Sequence, residues 1–188
     1  MQLFLTSVGF LLSFAATGIY IVDIVRGNTK PHFYTYLVWS IVTMIAFFGS
    51  LAAGGGYGAW VIGITGFLTI VVMLLSLKYG TKDIKPIDTY FLIAACVAIL
   101  PWLVLKDPLW SVILAVIIDA LGYFPTIRKT WKAPRSEIFS PWILGSVKAA
   151  LALVTLQSFN LTTILFPAEI LIMNTVVAYI ILARRSVR

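Results

Sequence analysis

Acidic charge is what this sequence has least of. Asp and Glu together number 7 in 188 residues, and there is one histidine, His32, and one cysteine, Cys96. Cys96 lies alone in an apolar run, so an intrachain disulfide is excluded. His32 sits in a basic loop with no second histidine or nearby cysteine, which argues against a metal site. No HExxH, Gly-x-Ser-x-Gly or paired intramembrane aspartates appear, so an intramembrane enzyme ranks last among the readings and no cofactor is implied. Gly54 to Gly58 lacks the Lys-Ser/Thr of a phosphate loop and reads as a turn. What is plentiful is apolar: 61% of residues are hydrophobic, 11% are charged and the mean hydropathy is +1.01, outside the range of soluble domains. Helix-length apolar runs almost consume the chain, leaving no room for a soluble catalytic or nucleic-acid-binding domain. The first run has no basic segment before it and exceeds signal-peptide length, so it reads as a retained span.

Charge and Gly/Pro clusters divide the apolar sequence into spans near 3–25, 34–53, 59–79, 88–105, 109–127, 138–156 and 163–183. The expected class is therefore an all-α membrane protein with seven transmembrane helices. The net charge of +7 is a topological signal. Arg26, Lys30, Lys78, Lys82, Lys85, Arg128, Lys129, Lys132, Arg135, Arg184, Arg185 and Arg188 all fall on the C-terminal side, whereas Lys106 alone falls on the other and Lys148 lies inside a span. The positive-inside rule puts the N-terminus outside and the C-terminus in the cytoplasm, as expected of a multi-pass protein of the plasma (inner) membrane.

The chain also repeats itself. With a shift of 103 positions, Tyr20, Ile24, Pro31, Trp39 and Ala46 meet Tyr123, Ile127, Pro134, Trp142 and Ala149. Arg26 against Lys129, Tyr36 against Phe139, Ile41 against Leu144 and Thr43 against Ser146 are conservative matches. The shift pairs span 1 with 5 and span 2 with 6; spans 3 and 7 correspond by position. The expected organisation is 3+1+3: a first triple-helix bundle at 1–79, a connector at 80–108 and a second bundle at 109–188 with a basic tail. One connector crossing gives both bundles the same orientation, so the repeats are parallel.

From Gly122-Tyr-Phe-Pro-Thr-Ile-Arg-Lys-Thr-Trp-Lys-Ala-Pro-Arg-Ser-Glu137, with a weaker echo at Tyr20 to Trp39, the sequence resembles the PQ-loop motif of SWEET, SemiSWEET and cystinosin-like transporters. The resemblance implies three-helix repeats joined by one connector, an outside N-terminus and transport of a sugar-like solute by alternating access. Pro125-Thr126 stands where the motif has Pro-Gln, and Val22-Asp23 occupies that place in the first repeat. By resemblance the hinges are Pro125 and Pro141, both in the second bundle, which would then bend more easily than the first.

Candidate functional residues follow from depth. Asp119 and Lys148 lie ten residues into spans 5 and 6, roughly 15 Å from each helix end at 1.5 Å per residue. A charge at the bilayer centre costs about 2.5–3.5 kcal/mol, so the two are expected to pair, either as a proton- or substrate-sensitive carboxylate held by a lysine or as a structural lock. Asn174, near the centre of span 7, offers a donor and an acceptor to a polar solute, and its depth matches a substrate-site asparagine in SWEET-like transporters; an interhelical hydrogen bond explains it equally well. Glu169 is expected on another face, lining an outer vestibule or capping a helix distorted by Pro167. Trp39 and Trp142 occupy equivalent repeat positions and either close the pore or stack on a sugar ring, or else pack on a neighbouring helix. Trp60, Trp102, Trp110 and Trp131 fall near span ends, as interfacial anchors do. Asp23 is expected to pair with Arg26, and Gly9, Ser13, Thr17, Gly49 and Ala53 to permit close helix packing. The leading expectation is a transporter, not an enzyme. It takes a small-molecule substrate at Asn174, Trp142, Trp39, Asp119 and Lys148 and is proton-linked through Asp119. Its partners are the lipid bilayer and the solute, with no nucleic acid, and self-association is left open. The alternative is a non-transporting sensor or assembly scaffold on the same fold, motivated by the missing Pro-Gln and first-repeat prolines.

Overall fold

The computed structural model describes residues 1–28, 30–80, 85–132, 134 and 139–186, except the side chains of Phe124, Pro125, Arg128, Lys129, Arg185 and Ser186. All regular structure among them is helical: α1 (Gln2–Val25), α2 (Phe33–Ala52), α3 (Gly56–Tyr79), α4 (Pro86–Val97), α5 (Leu100–Leu105), α6 (Pro108–Lys132), α7 (Phe139–Val154) and α8 (Leu161–Ser186). Gln2–Val25, Phe33–Ala52, Gly56–Tyr79, Pro86–Leu105 and Leu161–Arg184 are long and apolar enough to cross a membrane. The chain is thus an α-helical, multi-pass membrane-embedded protein. The apolar parts of α6 and α7 are shorter, at Pro108–Tyr123 and Phe139–Val154.

Local chemistry explains the boundaries. His32 precedes α2 and its Nδ1 accepts from the Thr35 N–H at 3.4 Å, while Pro86 occupies the first turn of α4 and Asp88 Oδ2 accepts from the Lys85 N–H at 2.7 Å. The fourth span is not one continuous helix. Pro101 has no N–H to give the Val97 carbonyl, and the chain turns at Ala98 and Ile99 before α5 begins. The fifth span corrects the sequence reading more substantially. The basic stretch from Arg128 was read as a loop, yet α6 runs on to Lys132, because no proline or glycine falls between Thr126 and Lys132. Positive charge sets where a helix leaves the bilayer, not where it ends. Of the orientation-setting bases, Lys82, Arg135 and Arg188 lie outside the described residues.

α3 packs against both α1 and α2, and α8 packs against both α6 and α7. Between these groups α2 meets α6 and α8, while α7 meets α1 and α3; α4 lies on α2 and α6. The core follows α2: Val38, Val42, Ile45, Ala46 and Phe47 are buried with Ala59, Val61 and Ile62 of α3, Ala115 and Ile118 of α6, Ala152 of α7 and Phe166 of α8. Lipid tails are as apolar as these side chains, so close backbone approach is what holds the helices together. The small residues named from the sequence serve that end. Gly9 faces Val61, Gly49 faces Val112, and Ser13 is fully buried with its Oγ 3.5 Å from Thr65 Oγ1.

At one end of the bundle the α2–α3 turn is stitched to the α7–α8 connection. Gly54 turns the chain at φ +81, Gly58 N donates to Thr155 O at 3.0 Å and Gln157 N donates to Gly55 O at 3.2 Å. Asn160 completes the joint. Its Nδ2 donates to Ala53 O at 3.0 Å and to Ser158 Oγ at 3.1 Å, and its Oδ1 accepts from the Thr163 N–H at 3.2 Å, capping α8. Asn160→Ala removes the cap and the inter-loop bond together, an expected loss of about 1–3 kcal/mol. In detergent this should lower the thermal unfolding midpoint by roughly 2–12 °C. An unchanged midpoint would show that the joint is held by backbone bonds alone.

Elsewhere the structure revises local expectations. Asp23 forms no ion pair with Arg26; its Oδ1 accepts from Asn28 Nδ2 at 3.3 Å, and its carbonyl from the Asn28 N–H, because the chain turns back at Gly27. His32 is a tie between helices, with Nε2 3.5 Å from Asp88 Oδ2.

Candidate functional site

Among the described residues two acidic side chains are buried inside the bundle, and they face each other. Asp119 of α6 is 4% exposed, Glu169 of α8 is 8% exposed, and their carboxyl groups interact directly across the α6–α8 contact. Asp119 Oδ2 and both carboxyl oxygens of Glu169 are nevertheless buried without a hydrogen-bond partner. Glu169 was expected on another face, towards an outer vestibule, and that expectation is corrected. A helical wheel gives the angle between two residues of one helix, whereas the position of α6 beside α8 decides which face is inside.

Lys148 is not the partner of Asp119. It lies on α7, half-buried, and makes no ion pair with a described carboxylate; the ion pair found among the described residues is His32 with Asp88. Equal depth on spans 5 and 6 proved insufficient because α8, not α7, is the helix packed against α6 in this group.

The cluster extends around the carboxyls. Tyr123, one turn after Asp119 on α6, is buried and lies within electrostatic reach of Asp119, Glu169 and Asn174. Asn174 is 7% exposed, and its Nδ2 donates to Ile170 O at 2.8 Å, leaving the amide oxygen to face its surroundings. Gly145 of α7 makes that placement possible: a Cβ there would stand 2.9 Å from Asn174 Cγ and Oδ1. One turn along, Ser146 Oγ and Thr175 Oγ1 are 3.1 Å apart, extending the polar seam between α7 and α8.

Aromatic rings flank the cluster. Trp142 packs on Tyr123 with ring centroids 6.1 Å apart, in a pocket shared with Phe139, Met173, Val177 and Ile181. In the first half Tyr36 contacts both Tyr20, at 6.0 Å, and Trp39, at 5.5 Å, so the counterparts of Tyr123 and Trp142 under the 103-position shift are linked through Tyr36. Trp39 also reaches α6, its indole nitrogen beside Gly122. Trp39, Asp119, Trp142 and Asn174 are therefore gathered around the α2, α6, α7 and α8 contacts. Trp60, Trp110 and Trp131 are exposed, and Trp131 carries Arg184 over its ring at 4.8 Å.

The prolines are placed unequally. Pro125 lies within α6, with its side chain outside the described residues. Pro141 falls in the first turn of α7, where a missing N–H breaks no intrahelical bond. Pro167 is inside α8, two residues before Glu169, and denies the Thr163 carbonyl its partner.

Sequence reasoning missed Glu169 as a member of the cluster and Tyr123 altogether. A signal existed for the first: the burial argument applied to Asp119 holds for any carboxylate inside a span. Among the described residues no group of three or more His, Cys, Asp or Glu side chains is arranged to hold a metal ion. Compared with known proteins, the chain matches no family model, no curated protein and no solved structure.

Proposed function

We propose that the chain is a membrane transporter of a small polar solute, working by alternating access of two parallel triple-helix bundles, 1–79 and 109–188, joined by the connector at 80–108. The observation that carries this reading is the repeated neighbour pattern. The third helix of each triplet packs on the first two, and the contacts between triplets pair off as α2 with α6 against α7 with α1, and α2 with α8 against α7 with α3. Such parallel repeats, related by an axis along the membrane normal, build transport sites at the interface between their halves. The polar cluster lies between α6 and α8 of the second triplet, where α2 of the first meets both helices, and its buried carboxyls supply a group that proton loading can switch. The sugar-like substrate class and the PQ-loop kinship rest on the motif at Gly122 to Glu137. Asn174, Trp142, Trp39, Asp119 and Lys148 are the proposed solute contacts, with the N-terminus outside and the basic end cytoplasmic.

Proteoliposome uptake of labelled sugars and amino acids, with and without an inward proton gradient, tests the proposal. Accumulation of at least one solute above the level of protein-free liposomes is expected. No flux for any solute, from protein shown to be folded and inserted, would leave the sensor or scaffold reading in its place. The hydrogen-bonded joint between the α2–α3 and α7–α8 connections is the observation that favours that second reading, since it ties the two halves at one end.

A further inference from the structure

We propose that Asp119 and Glu169 form one exchange site for a monovalent cation. The empty site holds a single proton shared by the two carboxyls, and an alkali cation or a protonated primary amine displaces it. This deepens the transport reading and rests on its assignment of Asp119 to the coupled cation.

Three oxygens define the site. Asp119 Oδ2 and Glu169 Oε1 and Oε2 are buried and have no hydrogen-bond partner, although buried polar atoms are almost always satisfied. Both side chains are more than nine-tenths buried. Two adjacent carboxylates in this setting cannot both be ionised without a compensating positive charge. Among the described side chains no basic group is in ion-pair range of either carboxyl, and on the two helices themselves Lys132 of α6 and Arg184 of α8 lie several turns away. α7 brings Lys148, which has no carboxylate in ion-pair range, and α2 carries no acidic or basic side chain between Phe33 and Ala52. On α4 Asp88 is taken by His32, and α5 has no charged residue. What faces the pair is neutral and polar: the phenol of Tyr123, with Asn174 beyond it.

An all-oxygen set suits a hard cation or an ammonium group, and a primary ammonium offers three donors to the three unpartnered oxygens. A divalent ion fits poorly. Calcium takes six to eight oxygens, and no third carboxylate joins the pair among the described residues. Charge balances across the exchange. With one shared proton the pair carries a single negative charge; when the cation enters, the proton leaves to water, and two carboxylates with one cation again carry a single negative charge.

The test uses the full chain in neutral-lipid nanodiscs, lightly buffered with a pH indicator, titrated separately with sodium chloride, methylammonium chloride and choline chloride. Choline has no N–H donor and is too bulky to sit between the carboxyls, so it controls for ionic strength. Sodium or methylammonium, but not choline, should release on the order of one proton per chain in a saturable manner, as a single coupled pair requires. Release by sodium alone assigns the site to an alkali cation; release by methylammonium assigns it to an amine-bearing solute. Both Glu169→Gln and Asp119→Asn should abolish the release while unfolding no lower than the cation-free parent, since each removes a buried charge without changing shape. If either variant fails to fold, the other decides. Absence of saturable release from the parent chain, or release that survives in a folded variant, overturns the proposal. The measurement involves no flux, so a chain that exchanges cations but transports nothing separates this inference from the transport reading.

Discussion

Asp119→Asn is expected to abolish gradient-driven accumulation while leaving the protein folded. Asparagine has the shape of aspartate and cannot ionise, and its amide can donate to the unpartnered oxygens of Glu169 opposite. The unfolding midpoint should therefore stay level or rise. Among the described residues, a cycle that loads and unloads a proton at this carboxyl has no other acidic group of comparable burial to fall back on except Glu169, whose partner has then been removed. Accumulation driven by a proton gradient should drop at least about 100-fold, the lower end of what deleting a positioned proton-transfer group costs. Solute exchange without a gradient needs binding and rocking but no net proton movement, and it should survive in part. Accumulation that persists at the parental level and keeps its pH dependence would remove Asp119 from the mechanism and leave the pair a structural feature.

The second large effect is expected at the joint between the start of α3 and the end of α7, where two backbones touch. A Cβ on Gly58 would clash with Ala152 O and stand 2.7 Å from Leu156 Cδ2 and 2.9 Å from Leu156 N. Two of those atoms are backbone, one in α7 and one just beyond its end, and cannot rotate aside. Gly58→Leu must push the start of α3 away from the end of α7, losing the Gly58 N to Thr155 O bond with it. Overpacking and broken bonds together give an expected loss of about 3–5 kcal/mol. The midpoint in detergent should fall by roughly 6–20 °C. Gly18 is the internal control: a Cβ there meets nothing within 4 Å, so Gly18→Ala should be neutral or stabilising by up to about 1 kcal/mol. Equal midpoints for the two variants would refute the close approach of α3 to α7.

Gly58 also shows how sequence and structure divide the explanation. Its place in a glycine cluster between apolar runs marked a turn, and the turn is there, with Gly54 and Gly56 at positive φ. Nothing local indicated that Thr155 and Leu156, about a hundred positions along, form the opposing wall. Asp119 and Asn174 were legible for a related reason, because a polar group deep in an apolar run needs burial wherever the helix packs. The partner of Asp119 was not legible. Lys148 matched it in depth and sign of charge, but depth fixes only the coordinate along the membrane normal.

By itself the sequence determined the α-helical membrane class, the apolar segments that become helices and the residues too polar for lipid. Each of these depends on composition or periodicity along one chain, and a bilayer enforces them by excluding unpaired backbone and charge. Tertiary structure alone decided that α8 lies between α6 and α7, and so that Glu169 rather than Lys148 meets Asp119. Inside lipid every apolar face is equally content to face its surroundings. Which helices become neighbours is therefore settled by close backbone contacts, such as Gly145 against Asn174 and Gly58 against Ala152, that form only between segments distant in the chain.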